Sequence, residues 1–507
     1  NGHTCLPREK LIEASANFLE VETEKIEEAL QSLLDEGSLQ VDVFNGREFI
    51  FTNQMHQAEI YSAGRLIMML KFPPQCIMGS KNDIQEIEKS QNIGYASLQK
   101  EAIKSALEQG ILILTGGPGT GKTTTLNAII NILEAKGEKV FLAAPTGRAA
   151  QRMSSVTSRE AKTIHRLLEV EWDSEDKPSF KKNEKNLLDC DALIIDELSM
   201  VDAAVFEGVL RALPLGCRLI MVGDSDQLPS VGAGNVLAEL IKSEIIPTVK
   251  LTEIFRQSME SLIVTNAHRI VKGELPNLSS FDNDFFFIKN SDPVKISDTI
   301  KSLCQTRLPE KYGYSPFFDI QVIAPGRKGD LGTNNINKIL QNALNPADKS
   351  KKELNVNGNV LRQGDKVMQI KNNYDIPFMK EDSTIGEGVF NGDIGILIDI
   401  NKQDSSFIVK FDDKLARYTT ENASDLELAY AITVHKSQGS EFGAVIMPMY
   451  YGAPQLYYRN LLYTGVTRAK SMLIMVGTPW TVSKMVENNR KTLRYSGLYH
   501  MLTRREN

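Results

Sequence analysis

The run Gly116-Gly117-Pro118-Gly119-Thr120-Gly121-Lys122-Thr123 has the residue types and spacing of a phosphate cradle. Its glycines let the backbone curl until several N–H groups face one anion, beside the positive end of a following helix. Lys122 is then expected to reach the β- and γ-phosphates of ATP, and Thr123 to offer its hydroxyl to a Mg²⁺ ion. The expected phosphate-binding set is Gly117, Pro118, Gly119, Thr120, Gly121, Lys122, Thr123 and Thr124. Two acids, Asp196 and Glu197, close the apolar run Ile194-Ile195. Asp196 suits the metal, and Glu197 suits a base that takes a proton from the attacking water. Gln227, in Gly223-Asp224-Ser225-Asp226-Gln227, is a neutral donor and acceptor able to sense a γ-phosphate, and Gln99 is placed to read an adenine edge. Arg256 and Arg468 carry charge that could clamp the γ-phosphate when a cleft between domains is shut.

These residues need elements to position them. Ile111 to Leu114 before the loop and Leu126 to Leu133 after it give strand, loop, helix, and further apolar strands follow at Lys139 to Ala143, Ala192 to Ile195 and Arg218 to Val222. Strands alternating with helices predict a parallel sheet covered on both faces, with the loop and the acids at one carboxyl edge. A second region of this kind starts near Leu251, with strands at Asp319 to Ala324, Glu427 to Ile432, Gly443 to Pro448 and Ser471 to Val476. Between its two parts, Leu354 to Asp425 shows the alternation Ile394-Ile396-Ile398-Ile400 and a turn at Asn391-Gly392, which predict a small inserted antiparallel barrel. Glu169 to Asn186 is too polar for the sheet and reads as a surface hairpin.

The N-terminal stretch predicts two short helices, a hairpin turning at Asn45-Gly46, and a further helix over Glu59 to Leu70, a winged-helix-like order ending in a linker after Pro73-Pro74. Glu24, Glu27 and Glu28 on its second helix would repel phosphate, which favours a protein contact there over a duplex. The expected boundaries are 1–75 for this domain, 76–250 for the first strand-and-helix domain with the hairpin at 168–187, 251–353 with 426–500 for the second, 354–425 for the barrel and a frayed tail over 501–507.

A chain of 507 residues is too long for one core. Its formal charge of -6 means that a nucleic acid would be held by a local basic groove rather than by the whole molecule. The five cysteines lie far apart without a C-x-x-C pair and the six histidines are scattered, so neither a zinc site nor a disulfide framework is expected and a reducing cytoplasm fits. No apolar run is long enough to span a bilayer. A start at Asn1 reads as a piece of something longer.

Taken in order, the phosphate loop, Asp196-Glu197, Gly223 to Gln227, Arg256, and Thr433-Val434-His435-Lys436-Ser437-Gln438-Gly439 through Arg468 resemble the helicase motifs of superfamily 1. Ala144-Pro145-Thr146-Gly147-Arg148-Ala149-Ala150, Thr163 to Leu168 and the inserted barrel resemble the RecD type of bacterial DNA helicase. The resemblance implies two RecA-like domains, a barrel of Src-homology type that touches the strand, and 5′ to 3′ movement on single-stranded DNA toward a duplex junction, in repair or recombination, by a monomeric motor. It implies that Pro145, Thr146, Gly147, Arg148, Thr163, His165, Thr433 and His435 face DNA, that Glu441 contacts the ribose, and that the hairpin at Glu169 to Asn186 separates strands. Acids at Glu169, Glu171, Asp173, Glu175 and Asp176 oppose phosphate binding on that hairpin, whose Trp172 could stack on a base or pack against its own domain. Two alternatives stay open: an RNA motor of the same superfamily, and a nucleotide-gated scaffold that grips without travelling.

Overall fold

The computed structural model describes residues 2–77, 80–172, 178–279, 284–356, 358–401, 403–489 and 494–504. It divides into two compact units, one of Asn1–Pro145, Ala149–Ile254 and Thr492–Asn507, the other of Thr146–Arg148 and Phe255–Lys491.

The first unit holds a six-stranded parallel sheet in the order Thr248–Leu251, Ile111–Gly116, Arg218–Gly223, Ala192–Ile195, Val140–Ala144, Ala161–Thr163. Alternate side chains serve two cores. Ile111, Ile113, Leu193, Ile195, Leu219 and Met221 enter one, and Leu112, Leu114, Ile194, Ile220 and Val222 the other. Each such side chain contributes about 1.5–3 kcal/mol on burial. The helix Lys122–Ala135 covers one face, with Ile129, Ile130 and Leu133 fully buried. Thr248–Leu251 and Ala161–Thr163 were not expected as strands; each is short and exists by pairing with a longer neighbour.

Val170–Trp172 pairs antiparallel with Pro178–Phe180, so the polar insertion is a hairpin. Its acids Asp173, Glu175 and Asp176 and the side chain of Trp172 lie outside the described residues. Phe180 seats the hairpin: its ring leaves no room for a side chain at Gly208, where a Cβ would come within 2.6 Å of it.

At the N-terminus the helices Arg8–Leu19 and Thr23–Asp35 precede the hairpin Leu39–Phe44 and Arg47–Thr52, joined at Asn45 and Gly46, both with positive φ. The helix Asn53–Lys71 follows, its first turn capped by the Thr52 hydroxyl. The chain end departs from the expected frayed tail. Leu498–Thr503 is a helix whose Leu498, Met501 and Leu502 are buried in the same core as Phe44, Phe51, Leu66 and Met69. The spacing is helical, but six residues hold a helix only when packed, and the packing partner lies in the N-terminal region.

The second unit has a five-stranded parallel sheet in the order Phe285–Lys289, Ala469–Gly477, Phe442–Met449, Ile320–Ala324, Ala431–Thr433. Its inserted part is a seven-stranded antiparallel sheet running Ile385–Val389, Asn373–Lys380, Lys414–Thr419, Ser406–Phe411, Ile394–Asn401, Lys366–Gln369, Leu426–Leu428. The stretch expected as one strand over Glu427 to Ile432 is thus two: Leu426–Leu428 completes the inserted sheet and Ala431–Thr433 edges the parallel one. The buried Gln321 amide, donating to the carbonyls of Ala429 and Tyr430, holds the crossing between them. Among the described residues no helix is long and apolar enough to cross a membrane.

Glu59, 1% exposed, accepts hydrogen bonds from Ser496 Oγ (2.7 Å) and the Gly497 N–H (2.8 Å) where the chain end meets the helix Asn53–Lys71. Burial raises its carboxyl from the ordinary 4.5 to about 7, against those hydrogen bonds. A folded pKa above the unfolded one gives stability that is complete below about 4.5 and lost as pH rises through about 7. Paired thermal melts should therefore show the wild type losing ground to Glu59→Gln across that window; parallel curves would rule the titration out.

Candidate active site

The loop leaves the sheet at Gly116, the last residue of a fully buried strand, and enters the helix Lys122–Ala135 at Gly121. Gly121 has φ 81, which a side chain would resist, and a Cβ on Gly116 would stand 2.7 Å from the Leu251 carbonyl and 2.8 Å from Thr120 Oγ1. Thr120 Oγ1 donates to the Gly117 carbonyl (2.9 Å), and Lys122 Nζ donates to the carbonyls of Gly116 (2.5 Å) and Gly117 (2.9 Å). The loop is wound by its own side chains, with Thr123 exposed at the first turn of the helix. Phosphate oxygens would replace the two carbonyls as partners of the Lys122 ammonium.

Gln99 lies behind this loop, 2% exposed. Its Oε1 accepts from the Ala96 N–H (2.9 Å) and its Nε2 donates to the Gly121 carbonyl (3.3 Å). The side chain expected to read adenine thus also ties the helix Ser97–Glu108 to the loop.

Asp196 and Glu197 follow the strand Ala192–Ile195, two strands from the loop. Asp196 Oδ1 accepts from the Glu197 N–H (2.8 Å), and Glu197, 8% exposed, has φ 54 and places Oε1 3.6 Å from Arg152 Nη1. Desolvation and the Glu197 charge raise the Asp196 carboxyl above its ordinary range, while Arg152 and Lys122 oppose the shift. A divalent cation would offset that cost, and the carboxylate and the Thr123 hydroxyl are the oxygen donors that Mg²⁺ takes. Among the described residues no group of three or more His, Cys, Asp or Glu could hold a metal by itself. The residues fit the ion.

Gln227 lies past the strand Arg218–Gly223, between loop strand and acid strand. Its N–H donates to the Asp224 carbonyl (3.3 Å) and its Nε2 to Asp224 Oδ2 (3.4 Å), so the turn is braced by a carboxylate 3% exposed. Phosphate loop, acid pair and Gln227 turn therefore occupy the carboxyl ends of three adjacent strands.

Of the strand-facing candidates in this unit, Pro145 follows the strand Val140–Ala144, and Thr163 uses its hydroxyl to cap Ile164–Leu167, accepting from the Arg166 N–H (3.2 Å). The His165 ring centre is 6.1 Å from that of Phe180, and burial lowers its pKa, which favours the neutral ring.

In the second unit Arg468 is 2% exposed, its guanidinium donating to the carbonyls of Ser440 (3.3 Å) and Thr464 (3.2 Å) and to Thr467 Oγ1 (3.2 Å). Glu441, next to Ser440, is 3.9 Å from Lys470. Arg256 opens the single turn Arg256–Met259, and its side chain lies outside the described residues. Thr146–Arg148 groups with this unit: a Cβ on Gly147 would lie 3.4 Å from Asp393 Oδ1, and the Arg148 guanidinium is 5.8 Å from the Phe442 ring centre. Thr433 Oγ1 accepts from the Lys436 N–H (3.3 Å), capping the turn that begins at His435. Thr433 and Lys436 line a cavity of about 250 Å³ with Arg327, Asn334 and Lys338. The sequence motifs missed these last three; the cue was a pair of cations, Arg327-Lys328, just past the buried strand Ile320–Ala324.

Family profiles match in three places: the AAA domain over residues 99–233, the SH3 domain of ATP-dependent RecD-like DNA helicases over 336–411, and the UvrD-like helicase C-terminal domain over 428–476. The chain is 31% identical over 493 residues to the ATP-dependent RecD2 DNA helicase of Deinococcus radiodurans, a match that covers 94% of this chain and 63% of that protein. It is 30% identical over 438 residues to the RecBCD enzyme subunit RecD of Mycobacterium tuberculosis, covering 79% of this chain and 72% of that protein. The chain belongs to the RecD family. Its length spans less than two thirds of the Deinococcus relative. Among solved structures it is similar to the Pif1 helicase from Candida albicans, with TM-score 0.47 and 21% identity over 77% of this chain and 96% of that one. The RecA-like pair of parallel sheets and the inserted SH3-like part agree with membership of the family.

Gly116→Ala should cost about 1–3 kcal/mol of stability, because the new Cβ overpacks against Leu251 and Thr120. It should also weaken binding of a fluorescent ATP analogue, since the same methyl forces the loop outward; unchanged melting and unchanged titration would contradict the packing.

Proposed function

We propose that this chain is the motor of an ATP-dependent DNA helicase that moves 5′ to 3′ along single-stranded DNA and separates duplex at junctions, in bacterial DNA repair or recombination. The reading is carried by the gathering of Lys122, the Asp196-Glu197 pair and Gln227 on one carboxyl edge, within a chain similar to a relative named as an ATP-dependent DNA helicase. Direction of travel and monomeric action rest on the motif resemblance, and the cytoplasmic setting on the scattered cysteines.

In this reading the N–H groups and Lys122 neutralise the phosphates, Thr123 and Asp196 hold Mg²⁺, which supplies charge neutralisation at the transferred phosphoryl group, and Glu197 accepts a proton from water. Gln99 reads the base, Glu441 the ribose, Gln227 reports the γ-phosphate, and Arg256 and Arg468 supply positive charge to the transition state; Arg468 would first exchange its present carbonyl partners. Pro145, Thr146, Gly147, Arg148, Thr163, His165, Thr433 and His435 face the strand, and the hairpin of Val170–Trp172 and Pro178–Phe180 parts the duplex. The N-terminal region, with its acidic second helix, contacts a protein partner. The domain boundaries expected from the sequence are offered as part of the same reading, except at the chain end, where Leu498–Thr503 packs in the first unit rather than in the second domain or a frayed tail.

The test is unwinding of two partial duplexes, one with a 5′ and one with a 3′ single-stranded overhang, alongside ATP turnover with and without single-stranded DNA. The 5′ substrate alone should open, DNA should raise turnover, and Lys122→Ala should lower it by about a hundredfold or more. Preference for the 3′ overhang would reverse the direction, and turnover indifferent to DNA would favour a scaffold.

A further inference from the structure

Arg494 stands outside every helicase motif of the chain, yet it holds the segment just past Gln227. Its Nη1 donates to the carbonyls of Gly234 (2.8 Å) and Gly232 (2.9 Å) and to Ser230 Oγ (3.4 Å), and its Nη2 donates to the Ser230 carbonyl (2.6 Å). Three carbonyl dipoles converge on one guanidinium, whose planar fork fixes their directions. Other groups close the same segment from different sides. The Gly234 N–H donates to the Gly2 carbonyl (3.0 Å), the Ala203 N–H donates to the Ala233 carbonyl (2.9 Å), and Asp202 abuts Gly232 so closely that a Cβ there would lie 2.2 Å from Oδ2.

Little slack separates this clamp from Gln227. Leu228 is 0% and Ser230 2% exposed, and Gln227 itself sits in the turn braced by Asp224. A shift of the 230–234 carbonyls would be passed to the Gln227 amide through a link of two residues, the buried Leu228 and the half-buried Pro229. The clamp is not local in sequence: Arg494 belongs to the chain end, which reaches the N-terminal region through the Thr4 N–H donating to the Tyr495 carbonyl (3.0 Å) and through Ser496 on Glu59.

We propose that Arg494 is a positioning residue for Gln227, so that the returning chain end sets how faithfully the γ-phosphate sensor is coupled to strand movement. This rests on the helicase reading above. The carbonyls that Arg494 grips belong to residues 230–234 rather than to the phosphate loop, so its loss should spare ATP binding while degrading hydrolysis and its coupling to movement.

Three variants of the full chain decide it. Arg494→Ala should keep the ATP KM within about twofold, lower the DNA-stimulated kcat about tenfold and raise the ATP consumed per base pair opened. Arg494→Lys, keeping the charge without the fork, should recover part of the kcat. Gly2→Ala, whose methyl would land 2.5 Å from the guanidinium carbon and displace it, should shift coupling in the same direction without substituting residue 494. A wild-type kcat and ATP-to-base-pair ratio in Arg494→Ala would overturn the proposal. So would a collapse of KM, kcat and melting together in Arg494→Ala with a wild-type ratio in Gly2→Ala, which marks a purely structural role. Failure of the wild type to open either overhang would count against the helicase reading, and the KM and kcat comparison would still judge Arg494.

Discussion

A strand covered on both faces admits no unpaired charge along its buried length: even Arg218, the first residue of its strand and 1% exposed, gives its guanidinium to the Leu107 carbonyl (2.9 Å). In Ile111–Gly116 and Arg218–Gly223 every residue is buried, and consecutive side chains enter cores on opposite sides. Desolvating an unpaired charge there would cost more than several of these apolar contacts return. Polar chemistry is therefore displaced to the strand ends, where Lys122, Asp196, Asp224 and Gln227 occur. The second unit obeys the same limit: Ile320–Ala324 is wholly buried, Arg327 comes only after it, and Thr433 is the last residue of its strand. The place of the site follows from where burial stops.

That constraint also explains how much of the fold and site could be read in advance. The phosphate loop is an eight-residue local pattern, and buried strands announce themselves as apolar runs, so the two parallel sheets and the acids at their edge were legible. The edge strands Thr248–Leu251 and Ala161–Thr163 were not, because nothing in three or four residues specifies a strand without its neighbour. The split at Ala429 and Tyr430 depends on the Gln321 amide, a bond across 108 residues of chain. Arg468 read as a γ-phosphate clamp; its 2% exposure goes with hydrogen bonds to the carbonyls of Ser440 and Thr464, which no motif mentions. The clamp of Arg494 on Gly232 spans 262 residues and left no local trace.

The second unit pins its inserted sheet with buried polar groups rather than with apolar packing alone. Asp365, 0% exposed, accepts from Gln341 Nε2 (2.6 Å), Asn345 Nδ2 (2.7 Å), the Arg362 N–H (2.6 Å) and the Tyr430 hydroxyl (2.9 Å). Next to it Lys366 Nζ donates to the Ile320 carbonyl (3.0 Å), and burial pushes its ammonium down to about 7. Such groups add little net stability when satisfied, yet leaving one without its partner costs about 1–3 kcal/mol or more. They therefore penalise every alternative register of Lys366–Gln369 against the parallel sheet more than they reward the native one. Apolar side chains, which lack direction, could not discriminate in that way.

The backbone outlier at the acid pair has a geometric use. Successive residues of an extended chain point to opposite faces, so two neighbouring acids at a strand end would be driven apart. Glu197 instead adopts φ 54, a conformation that costs an ordinary residue about 1–3 kcal/mol. The Asp196 carboxylate accepts its N–H, and the Met200 N–H donates to its carbonyl, so the turn is held from both sides. Reversing φ breaks the alternation immediately after the sheet. Two neighbouring carboxylates can then serve one edge, as the proposed roles toward cation and water require, which strictly extended backbone would forbid.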